Sequence, residues 1–374
     1  MKPLVSILIP AYNAEPWIAD TIESALRQTW QDKEIVIVDD GSRDETLSIA
    51  RKFASKNVCV VTQENQGAAG ARNTALQLYQ GDYVQWLDAD DLIAPDKIAK
   101  QIEAFNQHES KQTLFSSAWA YFMYRPTKAK FIPTPLWCDL SPTEWLVRKM
   151  GLGLHMPDST WLVSRELTQA AGPWDVGLAR DNDGEYFCRV ILASDGIRFI
   201  SEGRSYYRRA GSTSVSYIGR SRKKQDSLLR SMRLHMEYLR SLEDSPRTRD
   251  ACLKYLQIWL ASFYPERPDI IGQLKDDASN LGGQLHAPSL SWKYAWIQKM
   301  FGWRIAKEAQ LVLREGKENL LRSWDKALFL LGNGKRFAGI RECSSGTRNG
   351  LRPNIQRVKW SLTVRAWLKA RLCR

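Results

Sequence analysis

Short apolar runs alternate with stretches of helical spacing along the first part of the chain. Four apolar runs, each bounded by polar or turn-forming residues, predict buried strands at residues 4–9, 34–38, 58–61 and 83–87. Apolar residues at helical spacing predict helices at residues 17–26, 46–53 and 67–78. Nearly continuous apolar strands that alternate with helices are typical of a parallel sheet covered on both faces. The pattern therefore predicts an α/β fold with a mostly parallel sheet.

Polar residues follow each of the four predicted strands directly. These polar segments are residues 10–13, 39–42, 63–67 and 88–91. Because the carboxyl ends of parallel strands lie at one edge of a sheet, where ligands bind in such folds, we expect the four loops to converge there.

Three carboxylates crowd into the loop after the fourth strand. Asp88, Asp90 and Asp91 lie within four positions, so their charges repel and raise one another's pKa. A divalent cation would relieve this repulsion, and hard carboxylate oxygens suit Mg²⁺ or Mn²⁺. The alternative is that Asp90 or Asp91 caps a helix that begins near Pro95.

The segment 67–73 opens a helix with small residues and carries Arg72. The chain has neither a P-loop nor a G-x-G-x-x-G motif. A helix N-terminus of small residues can approach an anion closely, and Arg72 adds a fixed positive charge. The alternative is tight packing of the helix on the sheet with Arg72 at the surface.

Residues 114–124 and 156–163 have further strand-like patterns, and a helix begins near Asp181. Asp181, Asp183 and Glu185 cannot all share one helix face. An acid in the first turn is ordinarily a cap or a partner of the helix dipole. The alternative is a general base held at the helix start. Residues 206–214 then form a basic, hydroxyl-rich loop suited to closing over phosphates.

Charge divides the chain near residue 220. The length of 374 residues predicts one large or two ordinary domains, and the hydrophobic content of 44% suffices for a sizeable core. The net charge of the chain is +13. Residues 1–220 hold 24 Lys and Arg against 27 Asp and Glu, whereas residues 221–374 hold 30 against 14. We expect a domain at 1–220, a helical extension at 221–340 and a distinct tail at 341–374.

The predicted tail is strongly basic. Residues 341–374 carry nine Lys and Arg, one acid, and two tryptophans, Trp360 and Trp367. This composition favours an anionic membrane surface or a lipid-linked acceptor as the partner. The alternatives are a solvated basic tail or a packing helix. No nucleic-acid recognition module is visible, so nucleic acid is not expected as a partner.

Cysteine spacing and hydropathy predict a cytoplasmic location. The six cysteines lie far apart without zinc-ligand spacing and are expected to be reduced. No apolar run reaches the roughly 20 residues of a membrane span. The N-terminal run ends at Pro10 and lacks a signal-peptide cleavage site. We expect a cytoplasmic protein, peripheral at the inner face of the membrane if the basic tail binds there.

Taken together, these motifs resemble the family 2 glycosyltransferases, an inverting group with the GT-A fold. The resemblance is carried in order by residues 6–13, 35–42, 67–73, 88–91 and 181–189. It implies a Rossmann-like, mostly parallel sheet, a nucleotide-diphospho-sugar donor with UDP favoured, and Mn²⁺ or Mg²⁺ as cofactor.

The resemblance also implies roles for residues near the donor nucleotide. Pro10, Ala11 and Tyr12 wall the nucleobase. Asp40 receives the uracil edge, with Asp39 as its neighbour in the nucleotide site.

Further roles concern the metal and the reaction. Asp90 is the direct metal ligand, and Asp88 supports it within a D-x-D motif. Asp91 contacts the sugar or the acceptor. Asp183 matches the general base, but Asn182 stands where the family often has Glu, which leaves Asp181 as a rival base.

Two arginines complete the implied site. Arg72 lies beside the nucleotide. Arg208 stands near a position where the family often has His, and it is expected to contact the phosphates.

The predicted function is transfer of a sugar, with inversion, to a hydroxyl of a saccharide or lipid-linked acceptor in cell-surface polysaccharide synthesis. One alternative is a sugar-nucleotide-binding module that has lost catalysis. Another is a nucleotidyltransferase, although the loop at residues 10–13 lacks the Gly- and Lys/Arg-rich sequence usual there.

Overall fold

The computed structural model describes residues 2–105, 110–209 and 221–332. The strands are β1 (Val5–Ala11), β2 (Lys33–Asp39), β3 (Val58–Thr62), β4 (Tyr83–Trp86), β5 (Leu92–Ile93), β6 (Thr113–Phe122), β7 (Val163–Ser164) and β8 (Gly196–Arg208). The helices are α1 (Ile18–Leu26), α2 (Thr46–Arg51), α3 (Gly67–Leu78), α4 (Lys97–Phe105), α5 (Pro142–Leu152), α6 (Arg165–Ala171), α7 (Asn182–Ala193), α8 (Arg222–Leu242), α9 (Pro246–Leu260), α10 (Pro268–Asn280) and α11 (Ala295–Leu331).

The larger sheet has the strand order β3-β2-β1-β4-β7. Its first four strands are parallel, and β7 is antiparallel to β4. Alternate residues of β1 enter two separate cores: Ile7 packs with Ile18 of α1, whereas Leu8 packs with Ala75 of α3. Both faces are therefore covered by helices, which confirms the predicted parallel α/β fold.

A smaller sheet has the order β5-β8-β6 and holds the acidic loop in place. The short strand β5 begins directly after the three carboxylates and pairs with β8 through Leu92 and Tyr206. Strand β6 confirms the strand predicted at 114–124. Residues 156–163 contain a 3₁₀ helix at Asp158–Thr160 and lead into strand β7, which begins at Val163.

The helices after residue 220 pack into the core of the first part of the chain. Leu228 and Met232 of α8 and Leu256 of α9 are buried in one hydrophobic cluster with Trp145 of α5 and Phe187 of α7. The described residues 221–332 are helical, as the pattern predicts. The net charge of the chain therefore changes near residue 220, but the hydrophobic core includes residues from both sides of that position.

Helix α11 bends at Gly302, whose φ of 81° is readily available only to glycine. Within the described residues, no helix combines the length and apolar character needed to cross a membrane. The predicted basic tail at 341–374 lies outside the described residues.

Lys97 is fully buried on α4, where its ammonium donates to the side-chain oxygens of Gln85 and Gln101. Burial lowers the pKa of Lys97 well below its ordinary value. At pH values between the pKa of Lys97 in the folded protein and its pKa in the unfolded chain, the unfolded chain binds more protons than the folded protein. This group therefore makes the free energy of unfolding rise with pH in that window.

We expect Lys97→Met to remove that rise, which is at most about 1.4 kcal/mol per pH unit in the wild type. Denaturant unfolding at several pH values up to the ordinary pKa of lysine measures it. Lys100→Met is the matched control, because Lys100 lies on the same helix and reaches Glu103 near the surface. Equal pH slopes for the wild type and Lys97→Met would contradict the prediction.

Candidate active site at the carboxyl edge of the sheet

The polar loops converge at the carboxyl edge of the larger sheet, as predicted. The backbone N–H of Asp40 donates to the carbonyl of Ala11 at 2.8 Å, and that of Gln63 donates to the carbonyl of Asp39 at 3.0 Å. Gly41 has a φ of +70°, and a Cβ there would lie only 3.1 Å from the backbone nitrogen of Asn65. The loops after β1, β2 and β3 are therefore packed directly against one another.

Asp40 caps the N-terminus of α3 with both of its carboxylate oxygens. Oδ1 accepts from Nε2 of Gln63 and from the backbone N–H of Gln66, each at 2.8 Å, and Oδ2 accepts from the backbone N–H of Gly67 at 2.8 Å. Oδ1 thus has two donors and Oδ2 has one, so Oδ2 can accept one more hydrogen bond. The expected contact between Asp40 and the uracil edge stays a prediction.

Asp39 has one carboxylate oxygen to which no described residue donates. Its side chain is buried, and Oδ2 accepts from the backbone N–H of Ser42 at 3.3 Å and from Oγ1 of Thr62 at 2.9 Å. Oδ1 is buried and has no hydrogen-bond partner in the described parts of the chain. A buried oxygen of this kind calls for a donor, and the imide N–H of a uracil base is one that would satisfy it.

The expected nucleobase wall lies beside Asp39. Ala11 is paired with Asp39 in the β1–β2 register and is buried, whereas Pro10 is half-buried. Tyr12 is 46% exposed at the end of β1. Of the three wall residues, Tyr12 therefore presents the most surface to a ligand.

Arg72 is buried and connects the acidic loop to the start of α7. Its Nη2 donates to Oδ1 of Asp88 and to Oδ2 of Asp158, both at 2.9 Å, and its Nη1 lies 3.4 Å from Oδ1 of Asn182. The guanidinium also lies 4.4 Å from the ring centre of Trp174. The alternative of a surface position for Arg72 is wrong.

Asp158 is a site residue that the sequence did not reveal. Burial raises its pKa well above the ordinary range, although the charge of Arg72 opposes this shift. Burial also disfavours the charge of Arg72, but Asp158 and Asp88 outweigh it and raise the pKa of Arg72. The only signal for Asp158 was a single acid within the mostly apolar stretch 154–163.

The structure separates Asp91 from its acidic neighbours. Asp91 is buried, and its Oδ1 accepts from the backbone N–H of Arg208 at 2.8 Å, while its carbonyl accepts from Oγ1 of Thr21. This position runs against the expected contact with sugar or acceptor. The alternative helix cap also fails, because α4 begins only at Lys97.

Arg208 is a buried brace for the same loop. Its Nε donates to the carbonyl of Asp90 at 2.6 Å and its Nη1 to the carbonyl of Met123 at 2.7 Å. The guanidinium lies about equally near two rings, 4.2 Å from the centre of Trp17 and 4.3 Å from that of Phe122. These contacts run against the expected role of Arg208 at the phosphates. Residues 210–214 of the predicted loop lie outside the described residues.

Asp88 and Asp90 are half-buried neighbours on the acidic loop. Burial, together with the charge of Asp88, raises the pKa of Asp90 to about 7. In the part of the chain that the structure describes, no group of three or more His, Cys, Asp or Glu could hold a metal ion. Two carboxylates supply only part of the oxygen set that Mg²⁺ or Mn²⁺ prefers, so a cation at this pair would need further oxygens from a diphosphate and water.

The two rival bases at the start of α7 have different surroundings. Oδ2 of Asp181 accepts from Oγ of Ser231 on α8 at 2.8 Å and lies 3.9 Å from Nδ1 of His235. Asp183 is exposed, and its charge acts on both Arg72 and Asp158. Asp183 therefore faces the Arg72 cluster, whereas Asp181 fastens α7 to α8.

An aromatic group borders the end of the smaller sheet, and its assembly was not predicted. Ring centres lie 4.8 Å apart for Trp119 and Tyr121 and 5.6 Å apart for Tyr121 and Tyr207. The hydroxyl of Tyr121 lies 3.3 Å from Nε2 of His155, and the Arg209 guanidinium lies 4.1 Å from the Tyr121 ring centre. Trp86, Trp119, Trp161 and Trp174 are buried in the core.

Comparison with known proteins shows the fold and a partial family match. The fold resembles that of S. aureus TarS residues 1–349 solved with UDP-GlcNAc, with a TM-score of 0.61 at 19% identity over 74% of this chain and 81% of that one. The structure thus has the α/β fold seen in that protein. Residues 6–153 match the model for glycosyl transferase family 2.

Two curated relatives illustrate the extent of the similarity. An uncharacterized glycosyltransferase of Rickettsia prowazekii is 41% identical over 199 residues, which cover 52% of this chain and 60% of that protein. The Escherichia coli UDP-Glc:alpha-D-GlcNAc-diphosphoundecaprenol beta-1,3-glucosyltransferase WfaP is 44% identical over 114 residues, covering 30% of this chain and 44% of that protein. The similarity thus spans less than two thirds of the length of either relative.

Proposed function

We propose that this protein transfers a sugar from a nucleotide-diphospho-sugar, with UDP as the favoured nucleotide, to a hydroxyl of a saccharide or lipid-linked acceptor. The observation that carries the proposal is the meeting, at one sheet edge, of three features: the open buried oxygen of Asp39, the Asp88–Asp90 pair beside Arg72, and the exposed carboxylate of Asp183. The UDP-GlcNAc complex of TarS and the substrate named for WfaP support the same class of donor and acceptor.

The donor lies across the carboxyl ends of β1, β2 and β4 in this proposal. Tyr12 stacks on the uracil, and Oδ1 of Asp39 accepts the imide N–H. Asp90, supported by Asp88, would hold a Mg²⁺ or Mn²⁺ ion. When bound, this ion would neutralise charge on the leaving diphosphate. Arg72 keeps Asp88 oriented toward that position through its 2.9 Å hydrogen bond.

The acceptor lies on the other side of the sugar, beside Asp183 and the aromatic group. Arg180 is within electrostatic reach of both Asp183 and Tyr207, so these two residues border the same region. Asp183 takes the proton of the acceptor hydroxyl while the oxygen attacks the anomeric carbon. Attack opposite the leaving diphosphate inverts that carbon. Tyr121 and Tyr207 offer rings on which a sugar can pack.

Release of the nucleoside diphosphate from a panel of UDP-, GDP- and dTDP-sugars with Mn²⁺ tests the function. We expect turnover with a UDP-sugar that increases when an acceptor is added. Binding of the donor without any turnover would favour the inactive module. Release of pyrophosphate from a nucleoside triphosphate and a sugar phosphate would favour the nucleotidyltransferase.

We expect Asp39→Ala to weaken UDP binding by about ten- to a hundredfold, because it removes a hydrogen bond to a charged acceptor worth about 1.5–3 kcal/mol. Isothermal titration with UDP measures the effect. CDP is the matched control ligand, since cytosine has no imide N–H, and its affinity should change much less. If UDP and CDP weaken equally, Asp39 does not accept the imide N–H.

A further inference from the structure

Within the described residues, helix α11 is fastened to the rest of the protein along one side. In its first half, Nζ of Lys307 donates to the carbonyl of Tyr264 at 2.6 Å. Near its end, Oδ1 of Asp325 pairs with Nε of Arg125 at 2.7 Å. Phe329 is buried on this side of the helix, with its ring centre 6.1 Å from that of Tyr124.

The opposite side of α11 is apolar and exposed, and we call it the outer face. Its large residues recur at helical spacing and are 52–80% exposed: Ile305, Val312, Leu313, Leu320, Trp324 and Leu331. The smaller positions on this side are Ala309, Gly316, Ser323 and Ala327, so no charged residue lies on the outer face.

The segment before the bend at Gly302 carries a second exposed stripe. Trp292, Trp296 and Met300 recur every four residues and are 77%, 62% and 71% exposed. A soluble monomer rarely leaves so extended an apolar surface uncovered. We therefore expect the outer face and the stripe before the bend to contact a partner that is itself apolar.

Charge identifies the chemistry of that partner. Lys317 borders the outer face on one side, and Lys326 borders it on the other side together with Glu308 and Glu315. Helix α11 as a whole carries seven Lys and Arg against four Asp and Glu, and the part of the chain after residue 220 carries 30 against 14. An apolar helix face with tryptophans, on a helix of net positive charge, is typical of a helix that lies in the interface of an anionic membrane. A second copy of this positively charged chain would instead be repelled.

We propose that α11 lies flat on an anionic lipid surface, with its outer face inserted among the lipid headgroups and the bordering Lys317 and Lys326 against the lipid phosphates. Nη2 of Arg322 donates to the carbonyl of Arg209 at 2.6 Å, and Asp325 holds Arg125 just after β6. These contacts fasten the lipid-bound helix directly to the edge that carries the aromatic group.

Co-sedimentation of the full chain with phosphatidylcholine vesicles, with and without phosphatidylglycerol, tests the proposal. We expect the wild type to bind the phosphatidylglycerol vesicles, and the double variant Leu313→Glu/Leu320→Glu to bind them at least about tenfold more weakly. The matched control is Gln273→Glu/Asn280→Glu, which makes the same charge change at exposed positions of α10 and should bind like the wild type. Thermal unfolding verifies that all three proteins are folded.

Three outcomes would overturn the proposal. Equal vesicle binding by all three proteins would show that the outer face is not the lipid contact. Equal losses in both double variants would leave only a general charge effect. A wild-type dimer that becomes a monomer in Leu313→Glu/Leu320→Glu, with no vesicle binding, would make a second copy the occupant. None of these measurements depends on a sugar donor, so they stand apart from tests of the transferase activity.

Discussion

Replacing Asp183 by Asn is expected to lower the rate of sugar transfer by about a hundredfold or more while UDP binding is unchanged. Asn keeps the size of the side chain but cannot take the proton of the acceptor hydroxyl. Asp183 is exposed on the first turn of α7 and faces the Arg72 cluster, so removing its charge leaves the packing of the helix intact. Initial rates at saturating donor and acceptor, together with a UDP titration, measure both quantities.

Asp181→Asn is the matched control, because it makes the same chemical change two positions earlier in the chain. Asp181 already accepts a hydrogen bond from Ser231, and an Asn oxygen can keep that bond. We expect this variant to retain most of the transfer rate. If Asp181→Asn is inactive and Asp183→Asn turns over normally, the base is Asp181.

Replacing Asp90 by Asn is expected to weaken metal-dependent UDP binding by about a hundredfold. The change removes one of the two carboxylates that would share a divalent cation with the diphosphate, an interaction worth several kcal/mol. Titrating Mn²⁺ at fixed UDP, and UDP at fixed Mn²⁺, separates the loss of metal affinity from any change at the nucleobase.

Asp91→Asn supplies the control from the same loop. Asp91 is buried and accepts from the backbone N–H of Arg208, which an Asn oxygen can replace. We expect its Mn²⁺ titration to match the wild type. A Mn²⁺ dependence that is identical in Asp90→Asn and the wild type would remove Asp90 from the cation site.

The larger sheet was predictable because its strands are buried on both faces. Burial on both sides leaves a nearly unbroken apolar run, and turn-forming residues mark its ends. Helix α3 begins and ends where the pattern predicts, at residues 67 and 78. The strand that segment 156–163 enters is short, and the pattern did not reveal the 3₁₀ helix at Asp158–Thr160 that precedes it.

The adjacent carboxylates Asp39 and Asp40 show where sequence reasoning stops. They are chemically identical, and only the donors around them differ. The backbone N–H groups of Gln66 and Gly67 point at Asp40, whereas one oxygen of Asp39 is left buried without a donor. That difference arises from how the loops after β2 and β3 meet, which no local pattern records.

The pattern of apolar strands and polar loops in residues 4–91 determined the fold, the edge of the sheet where the site lies, and the residue types available there. These features follow from the period of burial along the chain, which is a local property. The tertiary structure decided which of those residues face the site. Packing between distant elements buries Asp91 and Arg208, pairs Arg72 with Asp158, leaves Asp183 exposed and turns the outer face of α11 away from the protein. Burial and partner choice depend on contacts between residues far apart in the chain, and these contacts form only when the chain folds.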